Sequence, residues 1–521
     1  MDVPGIGPGR YCPRCSVKET KGTGLDGRRS TQRRWHSRPH RAATPLIMDV
    51  SSPTSAAQGA AAARSSGVLP ARAYLDAHPE TRAIDLLITD MNGIVRGKRI
   101  GPDELDKVLT EGFRLVGSVF ALDVHGDNVD AAGMAMDTGD RDQKVIPVDG
   151  LMMPVPWAPQ PTAQMLMTMV DERTDAPFFA DPRQVLTSVV ARFADLGLTP
   201  VVACELEFYL IDQARDAQGA PQPPISPITG IREWSTQVLS MMDLDVYGRV
   251  LDGTKVACMA QGLPVTSALS EYAPGQFEIN LNHVADPVAA GDHGVLFKRA
   301  LRGVARAEGL DATFMAKPYR DFSGSGLHIH ASLLDGAGRN VFDGGDGSEI
   351  VPSEIMRHAI GGVLASLPEA MAILAPNANS YRRFRTGAYA PCTGTWGIEN
   401  RTVALRVPGG EAKATRIENR VAGADANPYL VLAALLAGMH HGIVNRIDPG
   451  PPLEGNAHTL PTARLPRRWA EALDAFDQGS ILKHYFGAAY HRVYGACRRG
   501  EMERFEGEIS PLDHAWYLPV I

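Results

Sequence analysis

The sequence predicts an α+β protein: a small β-rich N-terminal part, then a larger part whose curved antiparallel sheet, polar on its concave face, is backed by helices. Three observations predict it. Strand-like stretches at 204–210, 327–331 and 416–421 carry charged or histidine side chains two residues apart in apolar surroundings: Glu205 with Glu207, His328 with His330, and Glu418 with Arg420. Side chains alternate faces along a strand, so each pair shares one face while its apolar neighbours take the other. Helix signals begin near residue 181 and alternate with strands from there on. Before residue 170 the apolar pieces are short and separated by turn residues. A sheet that repeatedly shows charge on one side lines a polar cavity. Carboxylates converging there with a histidine repel one another unless cations sit between them, so divalent metal is expected.

Order is expected from near Leu69. Residues 85–90 and 94–98 read as strands around Asn92-Gly93, a strong hairpin signal. Further strand-like pieces lie at 115–122, 144–148 and 164–170, and the β-rich part is assigned to 69–176 and the larger part to 177–521. Asp181 can cap a helix with Pro182 in its first position; Val185, Leu186, Val189, Val190 and Phe193 mark one face and Gly197 ends it. The strand bearing Glu205 and Glu207 comes next. Asp286-Pro287 opens a helix running towards Ala307. Strands are expected at 277–281, 327–333, 402–407 and 416–421, and helices at 354–367, 428–444 and 466–476. The apolar run at 429–439 falls short of the ~20 residues of a membrane helix and reads as a buried helix, so no membrane partner is expected. No repeat of solenoid length is present.

Of the 521 residues 44% are apolar and 21% charged, an ordinary balance for a globular protein. The formal charge of −7 conceals ten Lys or Arg against three acids within residues 1–47. The remainder is acidic, and nucleic acid is not an expected partner. Residues 1–68, basic and then Ala/Ser/Gly-rich, lack hydrophobic periodicity and read as disordered. The basic head carries no amphipathic pattern, so translation from Met48 is favoured over a transit peptide. With no apolar signal core, the expected location is the cytoplasm. The six cysteines are scattered and expected to be reduced. Cys12-Pro13-Arg14-Cys15 is an isolated C-x-x-C, read as incidental.

Candidate metal ligands are Glu205, Glu207, Glu271, Glu278, His328 and Glu418. A Pro274-Gly275 turn can fold Glu271 back towards the strand bearing Glu278. Five carboxylates and one imidazole form a mostly hard-oxygen set, which suits Mg²⁺ or Mn²⁺ better than zinc or copper. Any one of these glutamates alone would more often be a surface ion pair; six together on apolar strands are a different matter. His328 and His330 by themselves are equally well explained as a hydrogen-bonded core pair. Gly324-Ser325-Gly326 is a loop that lets a ligand approach the backbone, and it is no P-loop, because no Gly-Lys-Ser/Thr follows. A cationic set, Arg382, Arg383, Arg385, Arg401, Arg406, Lys413, Arg416 and Arg420, suits carboxylates and phosphates. Pairing with acids such as Glu418 is the structural alternative for each. Metals beside arginines in an acidic chain point to phosphoryl transfer from a nucleotide.

In order and spacing these motifs resemble the glutamine synthetase family over residues 80–521. The matching pieces are Asn92-Gly93 with Arg96-Gly97-Lys98, Glu205-x-Glu207-Phe208, Pro274-Gly275-Gln276-x-Glu278, Phe314-Met315-x-Lys317-Pro318 and Gly324-Ser325-Gly326-Leu327-His328-Ile329-His330. They continue with Asn379-Ser380-Tyr381-x-Arg383, Asn400-Arg401, Arg416-Ile417-Glu418-x-Arg420 and Asn427-Pro428-Tyr429. The resemblance implies a β-grasp N-terminal domain, a catalytic domain with two metal ions in a funnel, and a homo-oligomeric ring, a dodecamer, whose sites are shared between neighbours. Carried over, the family roles give Glu207, Glu271 and Glu278 to one metal. Glu205, His328 and Glu418 take the second, which bridges the phosphates of ATP. Arg383 holds the α-carboxylate of glutamate beside Gly324 and Gly326, and Arg401 and Arg420 sit on the γ-phosphate and the γ-carboxylate. His330, Ser332, Lys413, Arg416 and Arg406 contact ATP. The chemistry so implied turns the γ-carboxyl of glutamate into an acyl phosphate, which an amine attacks under a closing flap.

One departure decides the acceptor. Ammonia-using members carry a flap Glu in a Gly-Tyr-Glu-Ala-Pro segment; here Gly387-Ala388-Tyr389-Ala390-Pro391 puts Tyr389 in its place. The segment at 120–125 also departs from the family's Phe-Asp-Gly ammonium segment, with Asp123 as a candidate substitute, and His458 stands where class I members carry an adenylylated tyrosine. Losing a carboxylate and gaining an aromatic favours a larger amine, held by shape and cation–π contact. The resemblance is therefore to the γ-glutamyl-amine ligase branch, ATP-dependent carbon–nitrogen ligases for a polyamine such as putrescine or an ethanolamine-like acceptor. An ammonia-using glutamine synthetase and a catalytically inactive structural or regulatory assembly are the alternatives, and a panel of amines separates all three.

Overall fold

The structure, a computed structural model, describes residues 67–235, 237–345, 350–385, 387–460 and 464–521. The readings made for residues 1–66 (disorder, a start at Met48, the Cys12/Cys15 pair) lie outside them. Gly67 and Val68, expected in the disordered stretch, are packed: the Gly67 N–H donates to the Ala260 carbonyl at 2.8 Å and Val68 lies against the core.

The first sheet comprises β1 (Leu69–Pro70), β2 (Ala83–Thr89), β3 (Val95–Ile100), β4 (Phe113–Val116), β5 (Asp142–Pro147), β6 (Leu151–Pro154) and β7 (Thr162–Val170). Its order is β1-β6-β7-β2-β3, with β5 joining β4 to β7. Asn92-Gly93 turns β2 into β3 as expected, with Gly93 at φ 75°, where a Cβ would be strained. β2 and β7 pair parallel. The strand expected at 115–122 stops at Val116, and Gly117–Ala121 coil into a buried 3₁₀ turn. Gly117 is a poor strand former, and a Cβ there would lie 2.8 Å from the Phe178 ring. Two helices, α1 (Ala71–Ala77) and α2 (Leu105–Glu111), pack on this sheet.

The second sheet carries the charged pairs. Its strands are β8 (Thr199–Asp212), β9 (Val265–Ser270), β10 (Gln276–Leu281), β11 (Leu310–Thr313), β12 (Leu327–Leu334), β13 (Trp396–Ile398), β14 (Leu405–Val407) and β15 (Ile417–Asn419). They run β13-β14-β15-β12-β8-β10-β9, with β11 also on β8. Every pair is antiparallel except β13/β14, which is parallel. β14 is shorter than the expected 402–407, because Asn400 accepts from the Thr402 N–H and hydroxyl and holds that piece in a turn.

The helices that follow are α3 (Pro182–Ala191), α4 (Met241–Val246), α5 (Gly248–Ala260), α6 (Pro287–Ala307), α7 (Glu354–Leu374), α8 (Pro428–Asn445), α9 (Trp469–Gln478), α10 (Ile481–Phe486), α11 (Ala488–Gly507) and α12 (Pro511–Tyr517). Asp181 and Asp286 cap α3 and α6 by accepting from backbone N–H groups of the first turn. α7 runs on past the expected end at Leu367, through Pro368. Proline removes one ladder bond, but the helix is buried on both sides of it, against α8 and α9. α8 is long and apolar enough to cross a membrane, yet its residues Pro428 to His440 are buried within the protein.

On its apolar face the second sheet buries Cys204, Leu206, Phe208, Phe277, Ile279, Leu327 and Ile329 almost completely. Phe208 meets Phe277, Phe297 of α6 and Phe314 with ring centroids 6.2, 6.3 and 6.1 Å away. This backing decides which way the charged residues must point. Cys204, Cys258, Cys392 and Cys497 are free and buried.

Candidate active site

β8 is the axis of the site. In register, Glu205 lies opposite His328 of β12 on one side and Asn280 of β10 on the other, and Glu207 lies opposite Glu278 of β10. One strand further, His330 is opposite Glu418 of β15, and Glu418 is opposite Arg406 of β14. Directly opposed residues share a face, so side chains from distant segments meet where the apolar face is not. Pro274-Gly275 closes the β9–β10 turn, with Gly275 at φ 72° and the Glu271 N–H bonded to the Gln276 carbonyl at 2.9 Å. Glu271 thereby returns to Glu278. Three overlapping groups result, each with ligand atoms within 4.8 Å of one another: Glu207, Glu271 and Glu278; Glu205, Glu278 and His328; Glu205, His330 and Glu418. His328 Nδ1 is 3.6 Å from Glu205 and 4.0 Å from Glu418. His330, expected only as a nucleotide contact, joins this cluster.

The electrostatics test whether these residues suit divalent cations. Burial, and then the charge of Glu207, pushes the Glu271 carboxyl up to about 7. Burial, followed by Glu207, Glu205 and Glu271, pushes Glu278 up to about 9. Carboxylates crowded together, with only the more distant Arg401 and Arg420 to offset them, resist ionising, and a cation placed there reverses that cost. On the other side of β8 the histidines supply the balance. Burial opposes ionisation of Glu205, but the neighbouring His328 and His330 rings outweigh it and hold its carboxyl well below the usual range. Burial likewise opposes charge on Glu418, while Arg420, His328, His330 and Arg406 bring it down to about 2. Hard oxygens with one or two imidazoles, ionised or made ionisable by a cation, fit divalent metal.

One hydrogen bond fixes the His330 tautomer. Arg416 Nε donates to His330 Nδ1 at 3.0 Å, so the protonated His330 Nε2 faces Glu205 Oε1 at 2.8 Å. His283, which the sequence did not single out, sets its ring edge-on to His330 at 6.1 Å. Burial, then His330 and Arg416, push it down to about 4. A lone histidine in a loop carries no periodic signal that could have found it. Ser332 is buried two residues beyond His330 on β12.

The buried arginines border the cluster. Arg383 Nη1 donates to the Val421 carbonyl at 3.1 Å, and Arg420 Nη1 donates to Glu418. The 324–326 loop is pressed against them. A Cβ on Gly326 would lie 2.9 Å from His328 Nε2 and 3.2 Å from Arg383 Nη2, and the Gly326 N–H donates to Glu207 Oε2 at 2.9 Å. A Cβ on Gly324 would meet the Arg383 chain at 2.5 Å. Glycine is required here by close approach. Arg401 is exposed, and its charge acts on Glu271 and Tyr272. Tyr389, more than half exposed, lies with its ring 5.8 Å from that of Tyr272, a residue that sequence reasoning missed.

Other candidates stand apart or are already engaged. Arg406 is held by Glu418 at 2.7 Å and Glu399 at 3.2 Å. Lys413 is exposed and pairs with Glu411 at 3.0 Å. Arg382 is exposed, and Arg385 reaches the Arg320 carbonyl at 3.1 Å. Asp123 accepts from the backbone of His125 and Asp127 and from Arg504 Nη1 at 3.0 Å. Its carboxylate organises its own loop.

The glutamine synthetase catalytic-domain model matches residues 179–517. A γ-glutamylputrescine synthetase of Escherichia coli is 42% identical over 445 residues, covering 85% of this chain and 93% of its own. A γ-glutamylethanolamide synthetase of Streptomyces coelicolor is 34% identical, covering 82% of this chain and 90% of its own. A solved GmaS/ADP complex superposes with a TM-score of 0.74 at 26% identity, over 87% of this chain and 99% of that one.

Proposed function

The chain belongs to the glutamine synthetase family, and from that membership we propose that it is an ATP-dependent ligase joining the γ-carboxyl of L-glutamate to a primary amine. One observation carries the reading. A three-carboxylate group and a histidine–carboxylate group share one sheet face beside Arg383 and Arg420, while the flap position holds Tyr389 instead of an acid. The names of the similar ligases, which join glutamate to putrescine and to ethanolamine, support an acceptor larger than ammonia.

Glu207, Glu271 and Glu278 would hold one divalent ion and Glu205, His328 and Glu418 another, Mg²⁺ or Mn²⁺ by the hardness of the donors. Bound there, the ions supply neutralising charge for the ATP phosphates and the transferring phosphoryl group. Arg383 binds the α-carboxylate of glutamate, which Gly324 and Gly326 let come close to the backbone. Arg401 and Arg420 stabilise the charge that develops on the γ-phosphate and the γ-carboxylate. His330, Ser332, Lys413 and Arg416 contact ATP, and Arg406 acts by orienting Glu418. A γ-carboxylate oxygen of glutamate attacks the γ-phosphorus, ADP leaves, and γ-glutamyl phosphate forms. The neutral amine then attacks the carbonyl carbon: a C–N bond forms, the C–O bond to phosphate breaks, phosphate leaves with the electron pair, and the amine proton passes to solvent. Tyr389 favours a larger amine through its ring face.

Residues 69–176 form a β-grasp domain and 177–521 the catalytic domain; copies assemble into a ring, a dodecamer by family likeness, in the cytoplasm. The test is phosphate release from ATP and glutamate with Mg²⁺ and a panel of amines. Turnover with alkylamines in preference to ammonium supports the ligase. Turnover with ammonium alone makes it a glutamine synthetase, and no turnover with any amine makes it a catalytically inactive assembly.

A further inference from the structure

Tyr272 follows Glu271 directly in the chain, in the loop that leads from β9 to β10. Its ring centroid lies 5.8 Å from that of Tyr389, with the planes tilted by 39°. Both rings are exposed, at 53% and 56%, beyond the intermediate burial usual for tyrosine. Tyr272 adjoins Glu271 in the chain and feels the charges of Glu271 and Arg401, and Tyr389 stands against it on that side of the site. The two residues come from segments more than a hundred positions apart in sequence, one fixed to the metal-ligand turn and the other to the flap. Two rings fixed at an angle to each other present adjoining π faces, and such faces attract an alkylammonium far better than a neutral hydroxyl.

We propose that Tyr272 is a second acceptor-selecting residue, forming with Tyr389 a two-walled aromatic cradle for the cationic far end of an aliphatic diamine. The proposal rests on the ligase reading above and narrows its acceptor class. The near amine of the diamine, neutral, reaches the acyl phosphate while the far ammonium lies on the rings. Ammonium is too small to span the two positions at once. A monoamine of the same length brings only its apolar chain to the cradle, and ethanolamine brings an uncharged hydroxyl.

The test is steady-state kinetics of the full chain with putrescine, n-butylamine, ethanolamine and ammonium, for wild type, Tyr272→Ala and Tyr272→Phe. Tyr272→Ala raises the KM for putrescine about tenfold, more than for n-butylamine, and Tyr272→Phe, which keeps the π face, stays within about twofold of wild type. The KM for glutamate moves by less than about twofold in both variants, the sign of an acceptor-specific role. Two results overturn the cradle while leaving the ligase intact: an unchanged putrescine-to-butylamine KM ratio in Tyr272→Ala, or a glutamate KM that rises as much as the amine KM. A wild-type protein that turns over ammonium alone overturns the ligase reading itself, and the cradle with it.

Discussion

Glu278 shows at the scale of one residue what the site demands. Burial, with Glu207 directly opposite on β8 and Glu205 and Glu271 nearby, pushes its carboxyl up to about 9, and burial with Glu207 pushes Glu271 up to about 7. Without metal, the folded chain therefore keeps protons that the unfolded chain has lost above roughly pH 5, so stability falls as pH rises through 7 towards 9. A divalent ion must displace those protons, so its affinity rises over the same range. The rise in Tm on adding Mg²⁺ should be larger near pH 8.5 than near pH 6, and Glu278→Gln should shrink that difference; equal rises at both pH values in the wild type would contradict the cluster. The ligand residues were legible because a strand's two-residue period makes Glu205/Glu207 and His328/His330 visible as pairs. Tyr272 and His283 were not, since each is a single residue in a loop whose role depends on a partner far away in sequence.

At the scale of an element, β8 holds the site in place. Its outward residues are ligands and its inward residues, Leu206 and Phe208, are fully buried. Phe208→Ala removes a ring shared by Phe277, Phe297 and Phe314 and should cost about 3–5 kcal/mol. Denaturant unfolding measures that loss; a cost below about 1 kcal/mol would mean the apolar face does not fix the strand. Elements with strong end signals were legible: the Asp181-Pro182 and Asp286-Pro287 starts of α3 and α6, and the Asn92-Gly93 turn. Others were not, because tertiary contacts overrode local preference. Pro368 reads as a stop, yet α7 continues through it in a buried setting, and Asn400 pulls 402–404 out of the strand that their composition suggests.

Contacts between the chain's early and late parts operate at the scale of the whole molecule. Asn427 Nδ2 donates to the Asp90 carbonyl at 2.8 Å and Arg498 of α11 binds Asn92, while within each part Arg96 pairs with Asp90 at 3.0 Å and Arg498 with Glu501 at 2.6 Å. Arg498 and Glu501 are both buried, so Arg498→Met leaves Glu501 as an uncompensated charge and should destabilise by about 3–5 kcal/mol. A loss under about 1 kcal/mol by denaturant unfolding would show that the late helix does not anchor the β2–β3 hairpin. The contacts joining the early and late parts were not legible, because pairing across 337 and 406 residues leaves no local pattern; the α+β class and the order of motifs were, because both are written in local period and spacing. The most direct test of the ligase assignment follows the oxygen. With glutamate labelled by ¹⁸O in its γ-carboxyl, ATP, Mg²⁺ and a primary amine, an acyl-phosphate route releases phosphate carrying one ¹⁸O atom in step with formation of the γ-glutamyl amide. Unlabelled phosphate, or phosphate released without amide, would contradict it.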